Sequence, residues 1–318
     1  MIVVGGEALI DLVPVSSTVD DGLAPLRPFP GGGPYNVAIA AGRLGAPVRF
    51  LSRLSTDAFG DALLRRLHRS GVDTGLVQRG PEPTTLAVAG IGPDGSARYT
   101  FHVEGTADRL VADPGELPPE VDTLSLGTLS LLLEPGASTY ESLLRRHARR
   151  GGLTVLDPNI RPVLVSDPDG HRARFASWLP DVGLLKLSVE DARWLAALDS
   201  GTPEADVLAV VRSWLAEGPA AAVLTRGGAG LAVLTGDGGH LDVPAPRVTV
   251  VDTIGAGDTV HGALLCWLHR TGVTSPDALR AVPVDAWRAA LGFAARAAAV
   301  TVSRAGAEPP YAAELDPA

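Results

Sequence analysis

The chain has 318 residues, of which 46% are hydrophobic and 20% charged, and its formal net charge is -9. This composition excludes a disordered chain, and the acidic balance argues against a nucleic-acid surface, which needs a basic face. No apolar run reaches the ~18 residues of a membrane span, and the N-terminus lacks the basic leader of a signal peptide. The single cysteine excludes an internal disulfide. We therefore expect a cytoplasmic protein with no nucleic-acid or membrane partner.

Short apolar runs alternate with helix-like segments along most of the chain. The strand-like runs are residues 2–10, 48–54, 123–131, 153–160, 182–188 and 221–227. Segments with helical spacing, several of them ending in glycine, are 61–71, 140–151 and 190–201. Most of the strand-like runs are nearly continuous in apolar character, which is typical of sheets buried on both faces. The sequence therefore predicts an α/β fold with a doubly wound, mainly parallel sheet and helices on both faces.

One region interrupts this alternation. Residues 84–103 form two strand-like runs around Gly-Pro-Asp-Gly, a strong hairpin signal, and residues 12–30 are too rich in proline for a helix. Together they predict a small β-sheet that stands off the main one and is a candidate lid. An ordinary surface hairpin is the alternative on this pattern alone. We expect one domain over residues 1–318, with the lid formed by about 12–30 and 84–108.

Two glycine clusters precede predicted helices. In the first, residues 31–45, three glycines lead into an apolar helical face that ends at Gly45. Gly32 and Gly33 can bring backbone amides close to a ligand, and Asn36 offers both a hydrogen-bond donor and an acceptor. Neither cluster matches a Rossmann or a Walker motif, so a nucleotide would have to bind by another scheme.

The second cluster is Asp-Thr-Ile-Gly-Ala-Gly-Asp, residues 252–258, at the start of a helix. The first N–H groups of a helix have no internal partner and the dipole is positive there, so residues 255–257 predict an anion site. The alternative is that Asp258 only caps the helix. Capping, however, requires neither the two glycines beside it nor Asp252 before them.

Polar residues also follow several predicted strands, at the sheet edge where α/β proteins bind their ligands. They are Glu7, Asp11 and residues 157–161, 186–191 and 225–230. Each is a weak signal by itself, because Asp and Asn at strand ends usually form turns. Lys186 is the one lysine among the 27 lysine and arginine residues. The histidines show no metal-binding spacing, and we expect His68, His147 and His269 to be solvated on polar helix faces.

The two glycine motifs resemble the signatures of the ribokinase, or PfkB, family of carbohydrate kinases. GGGPYNVAIAAGRLG resembles the N-terminal signature of that family, and DTIGAGDT matches its C-terminal DTxGAGD signature. They occur in the expected order and intermediate motifs also fit, so the resemblance covers nearly the whole chain. Within the family, GEALIDL, FHVEGTAD and DPNIRPVL look most like fructokinases.

The resemblance implies an ATP-dependent sugar kinase with a ribokinase-like fold and a lid at 84–103. Asp258 matches the base that takes the proton from the sugar hydroxyl, and the amides of Gly255, Ala256 and Gly257 match the anion hole for the transferred phosphoryl group. The sugar-binding positions are matched by Asp11, Gly32, Gly33, Asn36 and Arg161. The nucleotide-binding positions are matched by Ser188, Thr225, Gly227 and Gly230.

ATP and Mg²⁺ are the implied cofactors. The family motif NxxE, linked to Mg²⁺ through water, appears here as Ser188-Val189-Glu190-Asp191, so Asp191 replaces a longer glutamate. The monovalent-cation site of the family would use Asp252 and the Ile254 carbonyl, which makes K⁺ an optional addition. Pro310 stands where the family commonly has a serine in that site, and an asparagine common beside the adenine is replaced within residues 293–296.

Fructose is the sugar that the resemblance favours. Kinases of the same family for 2-keto-3-deoxygluconate, ribose or a nucleoside are the alternatives, because sugar identity rests on few side chains. A non-catalytic sugar sensor is the alternative from a different class, and the intact Gly-Ala-Gly-Asp disfavours it. The lid sheet could also pair with a second copy to form a homodimer.

Overall fold

The structure, a computed structural model, describes residues 1–15, 24–91 and 97–315. Its strands within these ranges are β1 (Ile2–Gly5), β2 (Leu9–Pro14), β3 (Leu26–Gly31), β4 (Val48–Ser55), β5 (Asp73–Gly80), β6 (Leu86–Ile91), β7 (Ala97–His102), β8 (Thr123–Gly127), β9 (Leu153–Asp157), β10 (Leu184–Ser188), β11 (Ala221–Thr225), β12 (Leu231–Thr235) and β13 (His240–Val243). Its α-helices are α1 (Gly33–Arg43), α2 (Ala58–Arg69), α3 (Gly136–Arg149), α4 (Pro168–Trp178), α5 (Val189–Leu195), α6 (Glu204–Leu215), α7 (Ala256–Arg270), α8 (Pro276–Arg280) and α9 (Trp287–Val302).

The main sheet has nine strands in the order β13-β12-β11-β10-β9-β8-β1-β4-β5. Neighbouring strands from β11 to β5 are parallel, and β12 and β13 add an antiparallel edge. Strand β1 lies between β8 and β4, so the strand order reverses there. This arrangement confirms the predicted doubly wound, mainly parallel sheet.

Helices cover both faces of the main sheet, because its central strands are apolar on both sides. One face packs against α1, α2, α7 and α9 in a core that contains Phe50, Leu264 and Trp287. The other face packs against α3 to α6 around Tyr140 and Trp178. Packing in these two cores fixes the main sheet, and the carboxyl ends of its parallel strands all lie at one edge.

A second, smaller sheet has the order β3-β2-β6-β7. Its pairs are antiparallel except for β2 and β6, which run parallel. It contains the two segments from which a separate sheet was predicted, so that prediction is confirmed. The predicted Gly-Pro-Asp-Gly turn and part of the 12–30 segment lie outside the described residues.

Two predicted strands end earlier than the apolar pattern indicates. The predicted strand 2–10 is two strands in different sheets, separated at Gly6, where φ is 151° and a Cβ would lie 2.2 Å from Pro34 Cγ. The predicted strand 123–131 ends at Gly127 and becomes a 3₁₀ turn, because the Thr128 and Ser130 hydroxyls bind the Glu7 carboxylate. The switch from strand to turn depends on these tertiary contacts.

The prediction that His147 is solvated is wrong. Its side chain is only 2% exposed, because it continues the face of α3 that buries Leu143 and Leu144 against the sheet. Across the described ranges, no helix combines the length and apolar character needed to cross a membrane.

Candidate active site

The main cleft opens at the carboxyl ends of the parallel strands, beside the reversal of strand order at β1. Open α/β sheets bind ligands at this position because the chain leaves neighbouring strands in opposite directions. A cavity of about 340 Å³ occupies it. Its lining includes the predicted residues Asp11, Gly32, Gly33, Asn36, Arg161, Ser188, Asp191, Thr225, Gly255, Gly257 and Asp258.

The start of α7 forms one wall of this cavity. Gly255 has φ 75°, and a Cβ there would lie 2.5 Å from Ala307 Cβ, so the turn requires glycine. The Ala256 N–H donates to the Thr253 carbonyl at 3.3 Å. Over the ranges that the structure describes, the amides of Gly255 and Gly257 donate to no protein acceptor. These two N–H groups and the helix dipole therefore remain available for an anion.

Asp258 lies in the first turn of α7, directly after the glycines. Its Oδ2 accepts a 2.9 Å hydrogen bond from Asn36 Nδ2, which joins the two glycine motifs across 222 residues of sequence. Burial raises the pKa of Asp258 to about 6, against the opposing effects of the Asn36 hydrogen bond and the Lys186 charge. The carboxylate is thus ionised at neutral pH, with a proton affinity suited to a general base.

Glu7 fixes the N-terminus of α1 to the main sheet. Its carboxylate accepts hydrogen bonds from the Gly33 N–H at 3.2 Å and from the backbone and hydroxyl of Ser130 at 3.1 and 2.7 Å. Gly32, with φ 105°, has no room for a side chain, because a Cβ would lie 2.7 Å from the Glu7 carbonyl oxygen. The result is a rigid backbone wall of the cavity, at the point where β3 of the small sheet leads into α1.

The small sheet supplies the outer part of the cavity. Asp11 on β2 and the rings of Tyr99 and Phe101 on β7 line it, and those rings stack with centroids 6.1 Å apart. Burial and the nearby Asp258 charge raise the pKa of Asp11 to about 6, while Arg161 opposes the rise. Two carboxylates and a pair of aromatic rings suit a ligand with several hydroxyl groups and an apolar face.

A second cavity of about 570 Å³ adjoins the first on the far side of the α7 N-terminus. The two share Thr225, Thr253 and Gly257. The predicted residues Gly227, Gly230 and Ala256 line the second cavity, together with an apolar wall from Val248, Val250, Val260, Ala295, Ala298, Ala299 and Val302. Its apolar lining suits a largely apolar ring.

Ser188 and Asp191 form a capping box at the start of α5. Asp191 Oδ2 accepts from the Ser188 N–H and hydroxyl at 2.9 and 2.6 Å, and Oδ1 accepts from the Ile160 N–H at 2.7 Å. Asp252 lines neither cavity. Its two oxygens accept from the amides of Ile254 and Gly306 at 2.9 and 2.8 Å, so it ties the loop before α7 to the C-terminal segment.

Three residues that line the main cavity, Tyr99, Phe101 and Thr128, were not predicted as site residues. Lys186 also lines it and was predicted only as part of the polar range 186–191, without a role of its own. Lys186 carries a signal in the sequence, since a charged residue interrupts an apolar strand. The aromatic pair does not, because a hairpin pattern does not reveal which face of the hairpin meets the main sheet.

The two cavities meet at Gly257, next to the Asp258 carboxylate that lines the main one, and this arrangement suits transfer of a group between two bound molecules. Because the N-terminus of α7 suits an anion, the transferred group is best explained as a phosphoryl group. Two adjoining cavities with such a site between them define a small-molecule kinase. Residues 1–313 match the family model described as pfkB family carbohydrate kinase, and the chain belongs to this family.

Individual relatives agree with the family match. The chain is 38% identical to a fructokinase from Rhizobium leguminosarum bv. trifolii over 270 residues, which cover 84% of this chain and 79% of the relative. It superimposes on a crystal structure of a fructokinase with bound ATP from Xylella fastidiosa with a TM-score of 0.86 and 26% identity, covering 99% and 97% of the two chains. A fructokinase mutant from Vibrio cholerae O395, bound to fructose, ADP and potassium, gives a TM-score of 0.79 with 25% identity, over 96% and 93% of the chains.

Proposed function

We propose that this carbohydrate kinase transfers the γ-phosphoryl group of ATP to a hydroxyl of D-fructose. The observation that carries the proposal is that Gly257 lines both cavities while the adjacent Asp258 lines the main one. The smaller cavity would hold the sugar and the larger one the adenosine. The relatives named fructokinase support fructose as the acceptor.

The transfer needs positioning and charge stabilisation more than covalent work by the protein. The sugar hydroxyl oxygen forms a bond to the γ-phosphorus while the bond from that phosphorus to the bridging oxygen breaks. ADP leaves with the electron pair. Asp258 takes the hydroxyl proton, and the amides of Gly255 and Gly257 stabilise the negative charge on the phosphoryl oxygens. Asn36 Nδ2 keeps the Asp258 carboxylate in place during this step.

The sugar would be held between the two glycine motifs and the small sheet. Asn36 Oδ1 is buried without a partner in the described structure, so it is free to accept from a sugar hydroxyl. We assign Asp11 to accept from further hydroxyls and Arg161 to donate at the cavity mouth. The Gly33 N–H already donates to Glu7, so Gly33 would contact the ligand by packing, whereas the Gly32 N–H is assigned to bind it.

Magnesium fits the phosphate end of the cleft through water rather than by direct coordination. Among the described residues, no three His, Cys, Asp or Glu side chains cluster as a metal site would require. Asp191 accepts three protein hydrogen bonds but lines the cavity, so it suits a water-mediated contact together with Ser188. When bound with ATP, Mg²⁺ supplies neutralisation of phosphate charge.

For potassium we propose the ligands that the family resemblance implies, Asp252 and the Ile254 carbonyl. Both oxygens of Asp252 already accept backbone amides and hold the loop before α7 in place. A cation there would therefore reinforce a loop that is already fixed, and we expect K⁺ to raise kcat only modestly. Assays in potassium and in tetramethylammonium salts measure this effect.

We propose that the small sheet acts as a lid of a single domain, carried in the described structure by β2, β3, β6 and β7. Tyr99 and Phe101 would close over the sugar and exclude water, which would otherwise accept the phosphoryl group. Leu26 of this sheet and Val15, directly after β2, are 42% and 48% exposed, and we propose that the sheet pairs with a second copy. Sedimentation velocity of the wild type and of Leu26→Glu tests the homodimer.

With ATP as phosphoryl donor, the proposed location is the cytoplasm.

A panel of acceptors tests the substrate. We expect a higher kcat/KM for D-fructose than for ribose, adenosine or 2-keto-3-deoxygluconate, with ADP formation as the readout. A higher value for any of the other three would replace fructose as the substrate while leaving the kinase chemistry intact. Sugar binding with no ADP formation from any acceptor would instead indicate a sensor.

A further inference from the structure

Lys186 is buried in the centre of the main sheet but belongs to the lining of the sugar cavity. It is 4% exposed and lies in β10 between Leu185 and Leu187, which are fully buried. Burying a charged amine costs free energy of folding unless the amine is paired with an opposite charge or binds a ligand. The residue has no role in the mechanism described above.

Two neighbouring strands, β9 and β10, bring the ammonium group and its partner together. Parallel pairing aligns Leu185 of β10 with Leu156 of β9, so Lys186 and Asp157 come next to each other. Lys186 Nζ donates to Asp157 Oδ2 at 2.7 Å. Burial opposes charge on both groups, but their mutual attraction raises the pKa of Lys186 and lowers that of Asp157, so both are ionised.

His261 ties this pair to the helix that carries the base. Its Nδ1 lies 3.4 Å from Asp157 Oδ2, and its Nε2 lies 2.9 Å from Ser125 Oγ on β8. His261 is one turn after Asp258 in α7. The ion pair is therefore anchored to the same element that positions the proposed base and the phosphoryl-binding amides.

The ammonium lies directly against the first turn of α7. A Cβ added to Gly257 would be 3.3 Å from Lys186 Nζ, so the missing side chain of Gly257 leaves the amine a path to the anion-binding amides. In the described part of the chain, Asp157 is the one acceptor bonded to the ammonium. An ammonium has three donors, so two are available for a ligand.

We propose that Lys186 is a further catalytic residue, whose ammonium donates to an oxygen of the transferred phosphoryl group beside the Gly257 amide. This inference rests on the proposed kinase function. The lysine keeps its proton throughout, and the proton of the sugar hydroxyl still goes to Asp258. Asp157 and His261 are positioning residues that hold the ammonium at this point.

The competing explanation is that Lys186 and Asp157 form a purely structural ion pair. Removing both charges distinguishes this explanation from a catalytic role for Lys186. Lys186→Met leaves Asp157 buried without its partner, so the double variant Lys186→Met/Asp157→Asn removes both charges together. Arg146→Met/Asp113→Asn, which removes an ion pair between α3 and the loop before β8, away from both cavities, is the matched control. Loss of one preorganised donor to a developing charge lowers kcat on the order of 10²–10³-fold.

The expected result for the double variant is that loss in kcat, with dissociation constants for ADP and fructose changed by less than about threefold. It should also lose tight binding of ADP with fluoroaluminate and fructose, which mimics the transferred phosphoryl group. A folded double variant with near-normal kcat would overturn the inference, and so would an equal loss of ADP and fructose binding. If the wild type itself phosphorylates no sugar, the proposed function is wrong. That outcome differs from the one that overturns the role of Lys186, in which the wild type is active and the double variant is equally active.

A measurement on the wild type keeps the inference testable if the variants do not fold. In a crystal structure with ADP, fluoroaluminate and fructose, we expect Lys186 Nζ within hydrogen-bond distance of a fluoride, about 3 Å. A separation beyond about 4 Å would reduce the Lys186–Asp157 pair to a structural ion pair.

Discussion

Asn36 Nδ2 donates a 2.9 Å hydrogen bond to Asp258 Oδ2, and this contact joins the two glycine motifs of the chain. Asn36 is in the first turn of α1 and Asp258 in the first turn of α7, so two helix N-termini converge on one carboxylate. The bond favours the ionised form of Asp258, which burial disfavours. The position and the pKa of the proposed base therefore depend on an interaction between opposite ends of the sequence.

Replacing Asn36 by leucine should raise the pKa of Asp258 further. Removing a hydrogen bond to a charged group costs roughly 1.5–3 kcal/mol, equivalent to about 1–2 pH units. The acidic limb of the pH profile of kcat/KM, which we expect near pH 6 in the wild type, should therefore move to higher pH. Gln78→Leu, an amide remote from both cavities, is the control. An unshifted limb in Asn36→Leu would show that Asn36 does not tune the base.

The lid makes a prediction about water. Tyr99→Ala removes one of the two rings that cover the sugar cavity, so water should reach the phosphoryl group. We expect a higher KM for fructose and a larger share of ATP hydrolysed without sugar phosphorylation. The ratio of ADP to sugar phosphate measures this uncoupling. Tyr311→Ala removes an exposed tyrosine elsewhere, and equal uncoupling in both variants would contradict the lid assignment.

The apolar cavity makes a separate prediction about the nucleotide. Ala298→Phe would fill part of the space proposed for adenine and should raise the KM for ATP at least tenfold, or ~1.4 kcal/mol, with fructose binding unchanged. Ala289→Phe places the same substitution on an exposed position of the same helix. If the KM for ATP is unchanged in Ala298→Phe, the adenine lies elsewhere.

Asp258 also makes a prediction about stability. Its pKa is about 6 in the folded chain and 3.8 in a model peptide, so the unfolded state ionises first as pH rises. Ionisation therefore weakens folding between about pH 4 and 6, and the full cost persists above pH 6. Asp258→Asn should raise the free energy of unfolding at pH 8 by about 1–3 kcal/mol. Urea denaturation of the wild type and Asp258→Asn at pH 4 and pH 8 checks this prediction. An increase in the free energy of unfolding that is equal at the two pH values would have a cause other than the ionisation of Asp258.

Local patterns in the sequence were sufficient to predict the alternation of strands and helices, the separate small sheet and both glycine motifs. They could not predict the break at Gly6, because the close packing of Pro34 and Ser130 against Gly6 is a tertiary contact that a single sequence does not reveal. They also placed His147 in solvent, although its helix face turns inward. The pairing of Lys186 with Asp157 depends on strand register, which a single sequence does not reveal.

The most direct test of the account is the steady-state kinetics of Asp258→Asn with ATP, Mg²⁺ and fructose at pH 8. Asparagine keeps the shape of the side chain and caps a helix about as well as aspartate, but it cannot accept the hydroxyl proton. We expect kcat to fall on the order of 10²–10⁴-fold, with the dissociation constants of ATP and fructose nearly unchanged. Asp277→Asn, in the first turn of α8, is the matched control and should behave like the wild type. Near-normal turnover of Asp258→Asn would contradict the account and place the base at another residue.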